Sequence, residues 1–411
     1  MLERPFRHFW FATMAADGGF QLMVLAQGWL VFKLTGSALQ LGILGAAVAI
    51  PNITMTLIGG VIADRYGKKR ILVVTSLITG LLLLLMAVLD QTGYVLIWHV
   101  MTLTALISLV TGLNWPAQVS ILPELVPRAA MTNAVAMNAL IWQGMRMLMP
   151  VIGGLLLAWT DTWVLFLLAG LGSLAMFIVV ATLPLQDLQE DQGSPWEQLC
   201  EGLSFIWNNP LFRWIMVLTF FGMFFTQSFI QIAPVLVDIL GRAEVGFGLL
   251  VSATGTGSVV GTLLIGSADQ QKRLGAIMLA GATLSTLALA LFAFSALASL
   301  FWPALIILFF SSLFASFFLV GSMTVLQLTV PDKLRGRVMG IHTIGFSLPP
   351  LGGLWLGATS EWFSGPLGYG PGAATALWLG CLIYLATILF VVFRLPIIRD
   401  ISGTKLSTQT V

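Results

Sequence analysis

The sequence predicts an all-α polytopic membrane protein, with about twelve transmembrane helices in two pseudo-symmetric six-helix bundles. Three observations carry this. Only 9% of the residues are charged and 58% are hydrophobic, whereas a soluble domain carries roughly 25% charged residues to keep its surface in water. Apolar runs of about 20 residues recur along the chain, each long enough as a helix to cross a hydrocarbon core of about 30 Å. In lipid, only helices or closed barrels satisfy every backbone polar group, and runs of this length are helical. Finally, residue patterns of the first half recur near the same offset in the second.

Between charged or Pro/Gly punctuation, the first six spans fall near residues 9–33, 39–63, 70–89, 95–118, 133–158 and 163–183. The first is too long for a signal-peptide core and lacks a small-residue cleavage site, so it reads as a span and not as a removed leader. Residues 184–209 then gain Asp187, Glu190, Asp191, Glu197 and Glu201, an acidic linker. Leu199, Leu203 and Ile206 stand there at helical spacing, which predicts an amphipathic helix on the membrane surface. Six further spans follow near 212–237, 246–267, 274–295, 299–325, 338–360 and 373–393. The predicted division is a bundle over 1–183, a cytoplasmic linker over 184–209, and a second bundle with a short tail over 210–411.

With both termini placed inside, sixteen of the 19 basic residues fall on inner segments, only Lys33 and Arg242 fall outside, and Arg146 lies within a span. Cytoplasmic segments retain Lys and Arg, so this asymmetry fixes the expected orientation. The repeat is legible residue by residue. Arg7 and Arg213 are 206 positions apart, Asp64 and Asp269 are 205 apart, and a Pro-x-x-Gly-Gly pattern at Pro150 returns at Pro349. Parallel six-helix repeats of this kind belong to transporters whose site lies near the midplane of the two halves.

The segment from Gly60 through Asp64, Arg65, Gly67, Lys68 and Lys69 to Arg70 resembles the signature loop between spans two and three of the major facilitator superfamily. Trp29 to Ser37, Asn114-Trp115-Pro116-Ala117, Leu122 to Pro127 and Leu334 to Gly340 resemble its bacterial siderophore and macrolide efflux branch. Together these stretches cover nearly the whole chain. Pro150, Gly153 and Gly154 fit the antiporter pattern of span five, while Met149 stands where that pattern has Gly. The resemblance implies a secondary transporter of the bacterial plasma (inner) membrane, working by alternating access. It makes Gly60, Asp64, Arg65, Gly67, Lys68 and Arg70 a gating loop. A weaker echo of that loop in the second half runs from Gly266 through Asp269 to Lys272 and Arg273, and Asp269, with Arg335 and Arg337 of the Leu334 to Gly340 stretch, joins the candidate gating set.

Two ionisable residues fall deep inside spans. Asp17 is about ten residues beyond Arg7, hence roughly 15 Å into the core, and Arg146 is similarly deep in span five. A charge there is costly and marks a functional site by default. Two readings stand side by side. Protonation of Asp17 releases Arg146 during proton coupling, or the two form a permanent ion pair that fixes packing. Gln21 lies one turn beyond Asp17, and Gln227 stands 206 positions after it with Gln231 one turn further on. These amides are candidate hydrogen-bond partners for a substrate, or glue between helices. Trp142 and Gln143 beside Arg146, and Phe224 among the span-seven aromatics, are candidate cavity walls. If they line a cavity, the cargo is amphipathic rather than sugar-like.

Other chemistries find no support. His8, His99 and His342 are scattered, Cys200 and Cys381 are far apart, and no phosphate-binding Gly-x-x-x-x-Gly-Lys motif or His-Glu-x-x-His helix occurs. A net charge of +2 argues against nucleic acid. The expectation is therefore a non-enzymatic exporter of a small hydrophobic or amphipathic molecule, a monomer in the bilayer that uses the proton gradient and no cofactor. An importer or lysolipid flippase, and a non-transporting membrane sensor or scaffold, are the competing readings.

Overall fold

The computed structural model describes residues 4–127, 130–183, 195–267 and 274–394. Within these, the side chains of 57–66, 115–116, 119–120, 123–124, 132, 195–199, 267 and 332–333 lie outside the description. Among the described residues, ten helical stretches are long and apolar enough to cross a membrane. The chain is a multi-pass membrane protein.

In the first half the helices are α1 (Arg4–Thr35), α2 (Ala38–Tyr66), α3 (Lys68–Gln91), α4 (Ile97–Thr111), α5 (Asn114–Leu125), α6 (Met131–Trp159) and α7 (Thr162–Thr182). Glycines punctuate them where the backbone turns left-handed: Gly36 ends α1 at φ 62°, and Gly67 alone separates α2 from α3 at φ 82°. Only glycine takes that conformation without steric cost. The Asp161 carboxylate accepts the Thr162 backbone N–H at 2.8 Å and so caps α7. Span four was expected to be one run over 95–118. It is instead two helices, because the chain turns over Gly112 and Leu113 before α5 begins.

Then follow α8 (Pro195–Asn208), α9 (Pro210–Phe221), a π-helical turn (Gly222–Thr226), a 3-10 helix (Gln227–Ile232), α10 (Ala233–Ile239), α11 (Glu244–Ser267), α12 (Leu274–Leu297), α13 (Phe301–Thr329), α14 (Asp332–Ile344), a 3-10 turn (Gly345–Ser347), α15 (Leu348–Leu367) and α16 (Tyr369–Arg394). Asn209 caps α9 through the Leu211 N–H, and Pro210 occupies its first position, where a missing N–H costs nothing. Span eleven breaks at the 3-10 turn, where Pro349 and Pro350 follow and withhold two donors. Spans four and eleven are thus helix pairs, which is why ten stretches of crossing length are consistent with twelve crossings.

The chain forms two compact units. One holds Met1–Gly36, Ala46–Pro195 and Ala243–Ser252; the other holds Ser37–Gly45, Trp196–Arg242 and Ala253–Val411. Each unit includes one short segment distant in sequence from the rest of it, Ala243–Ser252 in the first and Ser37–Gly45 in the second, and the packing that holds each is local. In the first unit, α6 and the start of α11 meet with backbones almost touching: a Cβ on Gly154 would stand 2.8 Å from the Gly248 Cα, and one on Gly248 would overlap the Pro150 carbonyl oxygen. In the second unit, α2 meets α15 in the same manner. A Cβ on Gly45 would overlap the Pro350 carbonyl, and one on Gly42 would stand 2.7 Å from that of Gly353. The repeated Pro-x-x-Gly-Gly pattern marks both crossings, where small residues let helices approach without a side chain between them.

Within the first unit α7 packs on α1 and α3, with Gly19 against the Ala169 backbone and Gly80 against Leu174. Phe6, Phe9, Leu72, Ile121 and Met176 form its buried cluster. In the second unit α12 packs on α13 and α16, and Gly257 and Gly261 bring α11 against the Phe309 and Leu313 backbone. The linker helix α8 packs one face on the second unit. Ile206 is buried in the cluster of Phe212, Ile215, Met278 and Ile341, Gly202 abuts Ile341, and Arg337 pairs with Glu201. Leu203 and Trp207 face outward.

Candidate functional site

Asp17 and Gln21 lie on the unbroken helix α1, so their one-turn spacing puts them on one face. Opposite stands α6, with Trp142, Gln143 and Arg146. Gly18 faces Met145 and Met149, and a Cβ on Gly153 would strike Leu25, so α1 and α6 run close along these turns. Phe20 stacks on Trp142 with ring centroids 6.4 Å apart. The turn carrying Asp17 therefore runs beside the turn carrying Arg146. Both side chains are partly buried. The expected ion pair between them is not formed: the two structural salt bridges among the described residues are Lys33–Asp161 and Arg337–Glu201. Neither Asp17 nor Arg146 makes a side-chain hydrogen bond or ion pair among the described residues. A further glutamine, Gln27, is buried on α1 with an Nε2 that has no partner among the described residues. Its one signal is an amide within an apolar span.

In the second unit, the expected single helix of span seven is interrupted. The π turn carries Phe224 and Phe225, and the 3-10 helix carries Gln227 and Gln231. This corrects one expectation: at three residues per turn, positions four apart point about 120° away from each other, so Gln227 and Gln231 do not share a face. The break is held by close packing. A Cβ on Gly352 would overlap the Phe224 carbonyl, one on Gly353 would meet the Gln231 side chain, and one on Gly222 would meet the Tyr384 hydroxyl. Trp355 of α15, absent from the expected set, packs edge-on against Phe225 at 5.0 Å, while Phe224 lies 4.9 Å from Phe225. His342, earlier set aside as scattered, is fully buried, with neither ring nitrogen partnered among the described residues. Its Phe346 neighbour lies edge-on at 6.1 Å.

The segment expected as a gating loop is mostly helix. Gly60 to Tyr66 belongs to α2, and the hinge is Gly67 alone. The side chains of Asp64 and Arg65 lie outside the described residues, as does Asp269 entirely. Lys68 and Arg70 open α3, where the Lys69 ammonium donates to the Leu183 carbonyl and so ties the hinge to the end of α7. Arg335 and Arg337 both lie on α14, Arg337 holding Glu201 of α8. Among the described residues no group of three His, Cys, Asp or Glu side chains could hold a metal ion.

A family model described as a transmembrane secretion effector matches residues 1–409. The enterobactin exporter EntS of Shigella boydii is 28% identical over 342 residues, covering 75% of this chain and 78% of that protein. The multidrug efflux pump Tap of Mycolicibacterium fortuitum is 25% identical over 373 residues, covering 85% and 88%. Among solved structures, a D-xylose-proton symporter superposes with a TM-score of 0.70 at 14% identity, covering 92% of this chain and 96% of that one.

Proposed function

Since the chain belongs to the transmembrane secretion effector family of major facilitator transporters, we propose that it is a proton-coupled exporter of a small hydrophobic or amphipathic molecule. One observation carries this reading: two opposite charges, Asp17 and Arg146, sit partly buried on neighbouring helices with no partner among the described residues. An unpaired charge in a span costs several kcal/mol unless water, a proton or a cargo group relieves it. A proton on Asp17 cancels one charge. Arg146 then offers five N–H donors to a polar or anionic group of the cargo. In another state of the cycle the two residues pair with each other, and protonation of Asp17 releases Arg146.

In the first unit the amides of Gln21 and Gln143 stand with the rings of Phe20 and Trp142, and in the second the amides of Gln227 and Gln231 stand with the rings of Phe224, Phe225 and Trp355, so that each unit by itself combines neutral hydrogen-bonding groups with apolar faces. That mixture suits a cargo with a large apolar body and few polar groups. The exporters named among the relatives support the outward direction. The basic residues concentrated on one set of segments support cytoplasmic termini in a bacterial plasma membrane. The cycle needs no cofactor beyond the proton gradient.

The test is accumulation of cationic dyes, macrolide-like compounds and a catecholate siderophore in everted vesicles, with and without an uncoupler. We expect uptake that collapses with the uncoupler in the wild type and is absent in Asp17→Asn, which should still bind the cargo. Uptake indifferent to the uncoupler overturns proton coupling, and normal coupling in Asp17→Asn overturns the role of that residue.

A further inference from the structure

At the N-terminal end of the first unit, α1 and α6 enclose a groove of about 350 Å³ lined by Phe6, Arg7, Trp10, Phe11 and Met137. Its walls are apolar or aromatic apart from one cation, Arg7. The Trp10 indole N–H donates to the Met137 carbonyl at 3.2 Å, which ties the two helices together across the floor of the groove. Phe11 stands edge-on to Trp10 at 5.2 Å and is 56% exposed. Arg4 lies one turn before Arg7, and both are exposed.

The repeat supplies a comparison. Arg213, the equivalent of Arg7 in the second half, is occupied: its guanidinium donates to the Trp207 carbonyl at 3.3 Å and lies over the Trp207 and Trp214 rings at 5.6 and 6.0 Å. The linker helix α8 supplies Trp207. Among the described residues Arg7 has no hydrogen-bond or ion-pair partner. It stands instead over an apolar groove at the end of a membrane span.

We propose that this groove binds an anionic phospholipid, its phosphate on Arg7 and the upper part of an acyl chain along Phe6, Trp10, Phe11 and Met137. A guanidinium matches phosphate oxygens in a bidentate fork. Aromatic rings at this level sit where headgroups meet acyl chains. A free phosphate would use Arg7 and leave the apolar walls wet. A zwitterionic lipid brings its own cation to the same place, where Arg4 and Arg7 repel it. The site does not depend on the transport reading, since it is measured by binding.

The experiment is native mass spectrometry of the purified protein titrated with phosphatidylglycerol, phosphatidylcholine or inorganic phosphate, on wild type, Arg7→Gln and Arg7→Lys. Removing one interfacial cation should weaken phosphatidylglycerol retention about fivefold, with Arg7→Lys, which keeps the charge but loses the fork, between wild type and Arg7→Gln, and phosphatidylcholine retained weakly by all three. Equal phosphatidylglycerol retention by wild type and Arg7→Gln overturns the proposal. So does equal retention of phosphatidylcholine, which would make the groove an unselective lipid contact, or displacement of the lipid by phosphate, which would make it an anion site. Unfolding midpoints measured without lipid identify any variant that has lost its fold, and Arg7→Lys then carries the comparison through lipid selectivity.

Discussion

The Lys33 ammonium lies 3.0 Å from the Asp161 carboxylate, joining the end of α1 to the start of α7. The Thr162 hydroxyl donates to Asp90 at the end of α3, so three helix ends are linked in one polar chain. Lys33 and Asp161 are both about half exposed, and such pairs contribute roughly 0–1 kcal/mol. Asp161 has a second duty as the cap of α7, worth about 1 kcal/mol. Asp161→Ala should therefore lower the unfolding midpoint more than Lys33→Ala. Burial pushes the Asp161 carboxyl up, but the Thr162 N–H, Lys33 and the Thr162 hydroxyl outweigh it and hold the carboxyl below its ordinary range. A depressed folded value means stability that is present above the unfolded value and lost as pH falls through the folded one. The stability difference between wild type and Asp161→Asn should be flat from pH 8 to pH 5 and shrink below about pH 4. A difference that shrinks between pH 8 and 5 would contradict this assignment.

Asp17 and Arg146 do not pair in this structure, and a double-mutant cycle reads that out. The stability effects of Asp17→Asn and Arg146→Gln should add within about 0.5 kcal/mol. Breaking a standing buried pair from one side costs about 3–5 kcal/mol and gives strong non-additivity. That result would establish the permanent-pair reading instead.

The two glycine crossings predict a conformational phenotype. A methyl group at Gly248 has only backbone to meet, and backbone cannot rotate away. Phe247, buried against Trp29 at 5.8 Å, reports on the crossing. In a Cys200→Ser background carrying Phe247→Cys, maleimide labelling should rise severalfold on adding Gly248→Ala. Unchanged labelling would mean that the helices absorb the methyl group in place.

His342 predicts tolerance of an apolar replacement. Both ring nitrogens are buried without a partner among the described residues, and an unsatisfied buried polar group costs about 1–3 kcal/mol. His342→Leu should match or exceed the wild-type unfolding midpoint. A drop of several degrees would mean that the ring holds a hydrogen-bonding partner in the membrane.

Much of this fold was legible because lipid imposes simple rules on sequence. The ends of α3, predicted at 70–89 and observed at Lys68–Gln91, are set by the basic cluster at one side and Asp90 at the other. Breaks inside apolar runs were not legible. No charged residue or proline stands at Gly112–Leu113 itself to announce the turn, and the change from α to π to 3-10 in span seven rests on Gly352, Gly353 and Tyr384, which come from distant helices. The same limit applies to the site. Asp17 and Arg146 stood out because a charge inside a span is costly, and packing of α1 on α6 brought their turns together. Whether they touch depends on side-chain conformation, to which spacing is blind. The Pro-x-x-Gly-Gly pattern was visible as a repeat, yet its meaning as a crossing needed the partner glycines Gly248 and Gly45.

Those crossings also bear on biosynthesis. The first unit is incomplete until Ala243–Ser252 has been made, so Gly154 is without its Gly248 neighbour while the linker and span seven are still emerging from the ribosome. Ser37–Gly45 enters the membrane early and waits for α15, which arrives almost last. Insertion order and packing order are therefore different sequences of events, and each half of the nascent chain is fastened by a segment translated with the other.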